Sequence, residues 1–267
     1  MKKLMITLTM VLGVTAYVAA DSVTTGNVLG YVKTPAPAAG NADIISIASF
    51  GTNDTVNIQD AIMNLEDLNA STAEANADKI IVWDGTGYTT YGLFDDGGTN
   101  SFWMKSGTGG WIFPDDATPA NVALSRQDAV WFQTGTGGTA NSIVTSGSVR
   151  NDQQFDVQLG SGATILAYPF TSSINLTNLV VSNATASVTE ANADKITVWD
   201  GSGYTKYGLF DDGGTNSFWM KSGTGGWIFP EDATPTSAEL PLGKGFWYES
   251  VDGAKTVGFE QIYTLSE

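Results

Sequence analysis

A long internal repeat constrains this chain more than any other feature. The segment AEANADKIIVWDGTGYTTYGLFDDGGTNSFWMKSGTGGWIFPDDATP, residues 73–119, returns as TEANADKITVWDGSGYTKYGLFDDGGTNSFWMKSGTGGWIFPEDATP at 189–235, an offset of 116 residues (189 − 73). The copies differ only at Ala73/Thr189, Ile81/Thr197, Thr86/Ser202, Thr90/Lys206 and Asp115/Glu231. Residues 92–114 and 208–230 are identical. Weaker likeness extends outward. LSRQDAVWFQT (124–134) aligns with LPLGKGFWYES (240–250), ADIISIASF with ATILAYPF on Phe50 and Phe170, and NIQDAI with NLTNLV. The whole unit is therefore duplicated, and both copies should adopt one supersecondary design. Repeat 1 is set at 21–150 and repeat 2 at 151–267, each the size of one small domain.

The repeat is written mostly in strand residues. DIISIASF is a short apolar run between turn formers, as a buried strand is. KIIVWDGTGYTTYGLF predicts a hairpin whose turn begins at Asp-Gly, and SFWMKSGTGGWIFP a second one around Gly107, Gly109 and Gly110. DAVWFQT and KGFWYES predict further strands. One helix is expected in NIQDAIMNLEDL, where Ile58, Ala61, Ile62, Leu65 and Leu68 recur at helical spacing behind Asn57 as N-cap, with a shorter counterpart in repeat 2. The expected fold is mainly β: two tandem small β-sandwich- or barrel-like domains, each with a short helix.

The first twenty residues, MKKLMITLTMVLGVTAYVAA, have the layout of a signal peptide: Lys2 and Lys3, an apolar stretch from Leu4 to Val18, then Val18-Ala19-Ala20 as a cleavage site. This predicts a secreted protein (periplasmic, cell-surface or extracellular) whose mature chain begins at Asp21 and has no membrane span. There is no cysteine, so neither disulfides nor a lipid-anchoring thiol is available. The net charge of −16 repels phosphate backbones and argues against a nucleic-acid partner.

The order of motifs in repeat 2 carries a resemblance. ILAYPF, ITVWDGSGYTKY, GWIFPEDATP and LPLGKGFWYES follow one another there, and NVLGYVK stands at 27–33. This resembles a tandem β-module found in secreted bacterial proteins of Verrucomicrobia type, with the pattern VWDGxGYxxY followed by LxPGxGFW. The likeness covers nearly all of both repeats. It implies a β-module architecture and export, and it brings no catalytic residues, because the family is largely uncharacterised. Repeat 1 departs from the pattern: LSRQDAVWFQT lacks the Pro-x-Gly-x-Gly turn of 241–245.

With no histidine and no cysteine, histidine acid–base chemistry, thiol nucleophiles and the usual zinc ligand sets are excluded. A glycan-active enzyme would need two carboxyl groups across a sugar, whereas the adjacent Asp95 and Asp96 should point to opposite faces of a strand. Asp95, Asp96 and Asn100, with their copies Asp211, Asp212 and Asn216, are candidate Ca²⁺ ligands in a Gly-rich loop. The competing reading is an Asp-Gly turn. Tyr88, Tyr91, Trp103 and Trp111, with Tyr204, Tyr207, Trp219 and Trp227, are candidate platforms for a polysaccharide, competing with a plain role in the core. Strict alternation puts Phe102 and Trp103 on opposite faces. The reading placed first is a non-catalytic structural protein of a surface, matrix or filament. Its terminal segments NVLGYVK and KTVGFEQIYTL are candidates for self-assembly through sheet edges. The flanks have diverged while 92–114 and 208–230 have not. That pattern requires either re-copying of the centre or one constraint acting on both copies.

Overall fold

The computed structural model describes residues 29–263, apart from 48–49, 51–53, 98–99, 108–109, 112–116, 139–141, 200–202, 214–215, 224–225 and 228–234. Residues 1–20, where a signal peptide is expected, and most of the WIFP segments therefore lie outside the described residues. In repeat 1 the strands are β1 (Leu29–Pro35), β2 (Ala42–Ser46), β3 (Thr55–Asn57), β4 (Lys79–Trp83), β5 (Tyr88–Asp95), β6 (Ser101–Gly107), β7 (Gly110–Trp111), β8 (Ala123–Ser125), β9 (Ala129–Gln133) and β10 (Ser142–Ser148). In repeat 2 they are β11 (Gln154–Leu159), β12 (Gly162–Ala167), β13 (Ile174–Asn175), β14 (Val180–Ser182), β15 (Lys195–Trp199), β16 (Tyr204–Asp211), β17 (Ser217–Gly223), β18 (Gly226–Trp227), β19 (Glu239–Leu240), β20 (Gly245–Ser250) and β21 (Lys255–Glu260).

The same antiparallel six-stranded sheet forms twice, in the orders β2-β9-β4-β5-β6-β7 and β12-β20-β15-β16-β17-β18. Both expected hairpins, β4–β5 and β6–β7, lie inside it. Smaller sheets, β1-β10 with β3-β8 and β11-β21-β14 with β13-β19, complete a β-sandwich-like arrangement. Side chains alternate across each large sheet. In repeat 1, Ile45, Ile80, Leu93, Trp103, Val130 and Phe132 form the inner face and join Ile58, Ile62, Leu124 and Ile143 in one hydrophobic cluster. Repeat 2 builds its own cluster from Leu166, Ile196, Trp219, Phe246, Tyr248, Val257 and Phe259.

The predicted amphipathic helix over 57–68 is not an α-helix. The chain there runs in turns and closes one 3-10 turn at Leu65–Asp67. The apolar positions are still inward, with Ile58, Ala61, Ile62 and Leu68 buried. What displaces the helix is competition for its polar groups. The Asn57 side chain accepts from Gln59 N (2.9 Å). Gln59 brackets the edge of β6, donating to Trp103 O (2.7 Å) and accepting from Trp103 N (2.9 Å). Asn64 does the same for β10, accepting from Val144 N (2.8 Å) and donating to Ser142 O (3.0 Å). The segment thus serves as a lace between two strands rather than as a self-contained helix. Its counterpart in repeat 2 is a single 3-10 turn, Leu176–Asn178, with Asn175 accepting from Thr177 N.

The two large sheets meet through their outer faces. Ile44, Ala129, Ile165 and Ala167 form a third cluster, with Trp83, Trp131 and Trp247 packed around it. Backbone bonds seal this seam in reciprocal fashion. Ser46 N donates to Gly243 O (3.0 Å), and Ala167 N donates to Gln127 O (2.8 Å). Ile45 bridges Lys244, and Leu166 bridges Asp128. Ser46 pairs with Ala129 and Ala167 with Gly245, so each repeat caps the edge strand of the other at matching positions. This register runs one residue out of step with an alignment on Phe50 and Phe170, and it has to. A one-residue slip would turn Ile44 or Ile165 into the wrong face. Gly245 is required here, because a Cβ would lie 2.3 Å from Ala129 Cβ and 2.6 Å from Ile44 Cγ2. An ion pair between Lys244 and Asp43 adds to one side of the seam.

The terminal strands have different fates. The C-terminal strand β21, expected to offer an edge to a neighbour, lies between β11 and β14 and is hydrogen-bonded on both sides. Its alternating Val257 and Phe259 are needed by the core, which draws it inward. β1 pairs with β10 and leaves Leu29 and Tyr31 exposed at 76% and 73%.

The passage between repeats is pinned by charge. Arg126 and Arg150 are both buried. Arg126 bonds Asp152 and lies 3.4 Å above the Phe155 ring centroid, while Arg150 reaches Asp54 (3.6 Å) and Asp152 (3.5 Å). The hydrogen bond from Arg126 holds the Asp152 carboxyl below the usual aspartate range. A lowered folded-state value means stability that is fully present above the ordinary aspartate pKa and is lost as pH falls through the folded one. Asp152→Ala, which takes a shared carboxylate from two buried guanidiniums, should cost about 1–3 kcal/mol at neutral pH in urea unfolding. It should also flatten the fall in melting temperature below about pH 4.

Candidate functional site

The identical stretch 92–114 supplies β5, β6 and β7, and its aromatics divide between the two faces of the sheet. Trp103 pairs across from Leu93 on the inner face, edge-on to Phe132 at 6.5 Å, and has no exposed surface. Trp219 is likewise buried, 6.4 Å from the Tyr248 ring. Both tryptophans were candidate glycan platforms. They are core residues, placed there by strand alternation, and Phe102 and Phe218 take the opposite face. Tyr91 is also buried, and Tyr207 packs against the inner cluster. Burial, and then the Asp84 charge, raise the Tyr91 hydroxyl above the ordinary tyrosine value.

Trp111 and Trp227 lie on the outer face and act as latches. The Trp111 ring covers Gly92, where a Cβ would stand 2.6 Å from Cη2, and Trp227 covers Gly208 in the same way at 2.5 Å. Each indole N–H donates to a backbone carbonyl of the preceding segment, Trp111 to Thr72 O (2.9 Å) and Trp227 to Val188 O (3.0 Å). Phe94 and Phe210 meet these rings edge-on at 5.3 and 5.4 Å. Glycine, tryptophan and phenylalanine thus form one interlocked unit, made twice.

Only Tyr88 and Tyr204, of the eight aromatic candidates, present an open ring, at 51% and 55% exposure. Each leans on a tryptophan of the strand before it, Tyr88 on Trp83 (4.8 Å) and Tyr204 on Trp199 (4.7 Å). Trp83 in turn meets Trp247 of the other repeat at 6.2 Å. Beside Trp247 a cavity of about 440 Å³ opens, lined by Ala163, Thr197, Tyr204, Lys206, Trp247 and Glu249. Trp247, Lys206 and Glu249 were not singled out from sequence. The signal for Lys206 was available, because Ile81/Thr197 and Thr90/Lys206 are two of the five repeat differences and form one cross-strand pair in each sheet.

The acidic loops follow the turn reading. Asp95 Oδ1 accepts from Gly97 N, and Asp211 Oδ1 from Gly213 N, each at 2.9 Å, with Gly97 and Gly213 at φ 77° and 76°. Asp96, Asn100, Asp212 and Asn216 are exposed. Among the described residues there is no group of three or more acidic side chains that could hold a metal ion.

Two further carboxylates are wholly buried, Asp78 and Asp194. Asp78 accepts from Asn69 N (2.9 Å) and Gly135 N (2.7 Å). Asp194 accepts from Thr185 N (2.9 Å), Val251 N (3.0 Å) and the Tyr248 hydroxyl (2.9 Å). Burial raises the Asp78 carboxyl above the aspartate range, against the two backbone N–H groups that pull it down. Each of these carboxylates ties three chain segments together, and Lys255 Nζ stands 3.7 Å from Asp194 Oδ2. A separate cavity of about 520 Å³ is lined by residues such as Leu179, Leu209, Phe218 and Trp219, and none of its described lining residues is ionisable.

If the latches hold the outer face, Gly92→Ala should displace the Trp111 ring and break its bond to Thr72. The expected cost is about 1–3 kcal/mol in denaturant unfolding, with a changed near-ultraviolet tryptophan signal. Gly87→Ala, where a Cβ meets nothing within 4 Å, is the control and should leave the signal unchanged.

No family model, curated protein or solved structure matches this chain, so the reading of its site rests on its own residues.

Proposed function

We propose that this chain is a secreted, non-catalytic structural protein of a cell surface, matrix or filament, built from two copies of one β-module. The observation that carries this reading is where the identical stretch goes. Its most chemically distinctive side chains are committed to holding the sheet, Trp103 and Trp219 in the cores and Trp111 and Trp227 as latches over glycine. A constraint shared by both copies is then a demand of architecture. The chain also lacks histidine and cysteine, and the wholly buried Asp78 and Asp194 each accept from two backbone N–H groups that tie them to neighbouring segments. The lysine-initiated apolar leader supports export. Each repeat caps an edge strand of the other, and among the edge strands β1 pairs only with β10 and turns Leu29 and Tyr31 outward. Assembly, where it occurs, uses that strand rather than the C-terminal one.

The test combines location with assembly. Fractionation of the native cells should place the protein outside the inner membrane. Light scattering and electron microscopy of concentrated protein should show oligomers or filaments that Tyr31→Glu disperses while the melting temperature holds. Recovery in the cytoplasm, or a strictly monomeric protein at every concentration, would sink the reading.

A further inference from the structure

The groove beside the seam has a composition that packing does not explain. The tyrosine rings at its rim are open, at 51% and 55% exposure, whereas the other aromatics described on the two six-stranded sheets are buried or half-buried. Tyr88, Trp83 and Trp247 follow one another at 4.8 and 6.2 Å, and Trp247 and Tyr204 both line the cavity. Tyr88 stands close enough to Tyr204 to act on its ionisation, second to burial, and both influences keep the Tyr204 hydroxyl protonated. The aromatic surface therefore continues from one repeat to the other through Trp83 and Trp247.

Around the aromatic wall stand Ala163 and three polar side chains, Thr197, Lys206 and Glu249. Lys206 sits across from Thr197, which in turn sits across from Trp247. Glu249 sits across from Ala163 and Lys195, and Lys195 approaches its carboxylate at 3.8 Å. A cation, a carboxylate and a hydroxyl therefore rim one aromatic wall. The corresponding positions of repeat 1 read Ile81, Thr90, Trp131 and Gln133, without the charged pair. The repeats have thus diverged at this groove while keeping the tyrosine.

We propose that the groove formed by Tyr204, Trp247, Thr197, Lys206 and Glu249, extended across the seam by Tyr88, is a binding site for a neutral polysaccharide. The occupant follows from the chemistry. A pyranose ring has an apolar C–H face to lay on an aromatic ring and a hydroxyl rim that donates to carboxylate and accepts from ammonium. The groove is open, so a wholly apolar ligand would leave much of its surface in water, whereas a sugar is satisfied on both sides. Anionic glycans are disfavoured by the net charge of −16. Two open tyrosines joined through Trp83 and Trp247 suit separate rings of one chain, with contacts that are weak singly and stronger together. This function goes beyond the structural role and would attach such a protein to a matrix.

Affinity electrophoresis of the purified full chain tests it, in gels containing mixed-linkage β-glucan, arabinoxylan, galactomannan or dextran, with alginate as the anionic comparison. At least one neutral gel should retard the protein. The double variant Tyr88→Ala with Tyr204→Ala should lose the retardation, at least tenfold in affinity, with its melting temperature unchanged. Tyr204→Phe should keep the retardation, because the platform survives. Lys206→Ala and Glu249→Gln should each weaken it several-fold. If the alanine pair perturbs folding, Lys206→Ala and Glu249→Gln decide, since both side chains sit at the open rim. No retardation in any neutral gel, retardation by alginate alone, or full retardation of a folded double variant overturns the proposal.

Discussion

Everything in this molecule depends on how its sheet edges are closed. A six-stranded antiparallel sheet has two rows of unpaired backbone groups, and each is an invitation to uncontrolled pairing. One edge of each sheet is covered by the other repeat, through Ser46 N to Gly243 O and Ala167 N to Gln127 O. Near the opposite edge of the first sheet, Gln59 and the Ala120 amide satisfy the outward backbone of Trp103. In the second sheet Thr236 N does the same for Trp219 O. The seam cluster, the latch tryptophans and the position of the open tyrosines all follow from this closure, because it fixes which faces are covered and which remain bare.

Much of this architecture was legible in the sequence. Strand identity, both hairpins and the equivalence of the repeats came from alternation and from Asp-Gly and Gly-Gly turns, which are local signals. The helix was not legible, because Ile58, Ala61, Ile62 and Leu68 have helical spacing for a reason other than a helix. They are the inward residues of an irregular segment whose Asn57, Gln59 and Asn64 side chains are claimed by neighbouring strands. Long-range claims of that kind leave no periodic mark. The same holds for Trp103 against Tyr88. Both are aromatic residues on strands, and only the register shows that one has Phe132 above it and the other has solvent.

The buried ions illustrate how the chain handles charge without disulfides to brace it. Asp78 accepts from backbone amides and Asp194 from backbone amides and the Tyr248 hydroxyl, while Arg126 and Arg150 share Asp152 and Asp54 where the repeats join. Such groups cost desolvation and return geometric definition, since each is satisfied only in one arrangement of the segments around it. For a chain with no cysteine, that is a means of fixing loops to strands.

The identity of the two central stretches carries a hazard that the diverged flanks answer. During folding, a β5–β6–β7 ribbon is sequence-identical to β16–β17–β18 from Gly92/Gly208 onward, so either could dock in the other's place or in another chain's. What differs is the company each keeps. The first sheet begins at β2 and β9, with Asp43 turned toward Lys244, and the second at β12 and β20, with Gly245 admitting Ile44 and Ala129. The flanks therefore work as addresses, and their divergence is what allows the chain to keep two interchangeable parts and still assemble them in order.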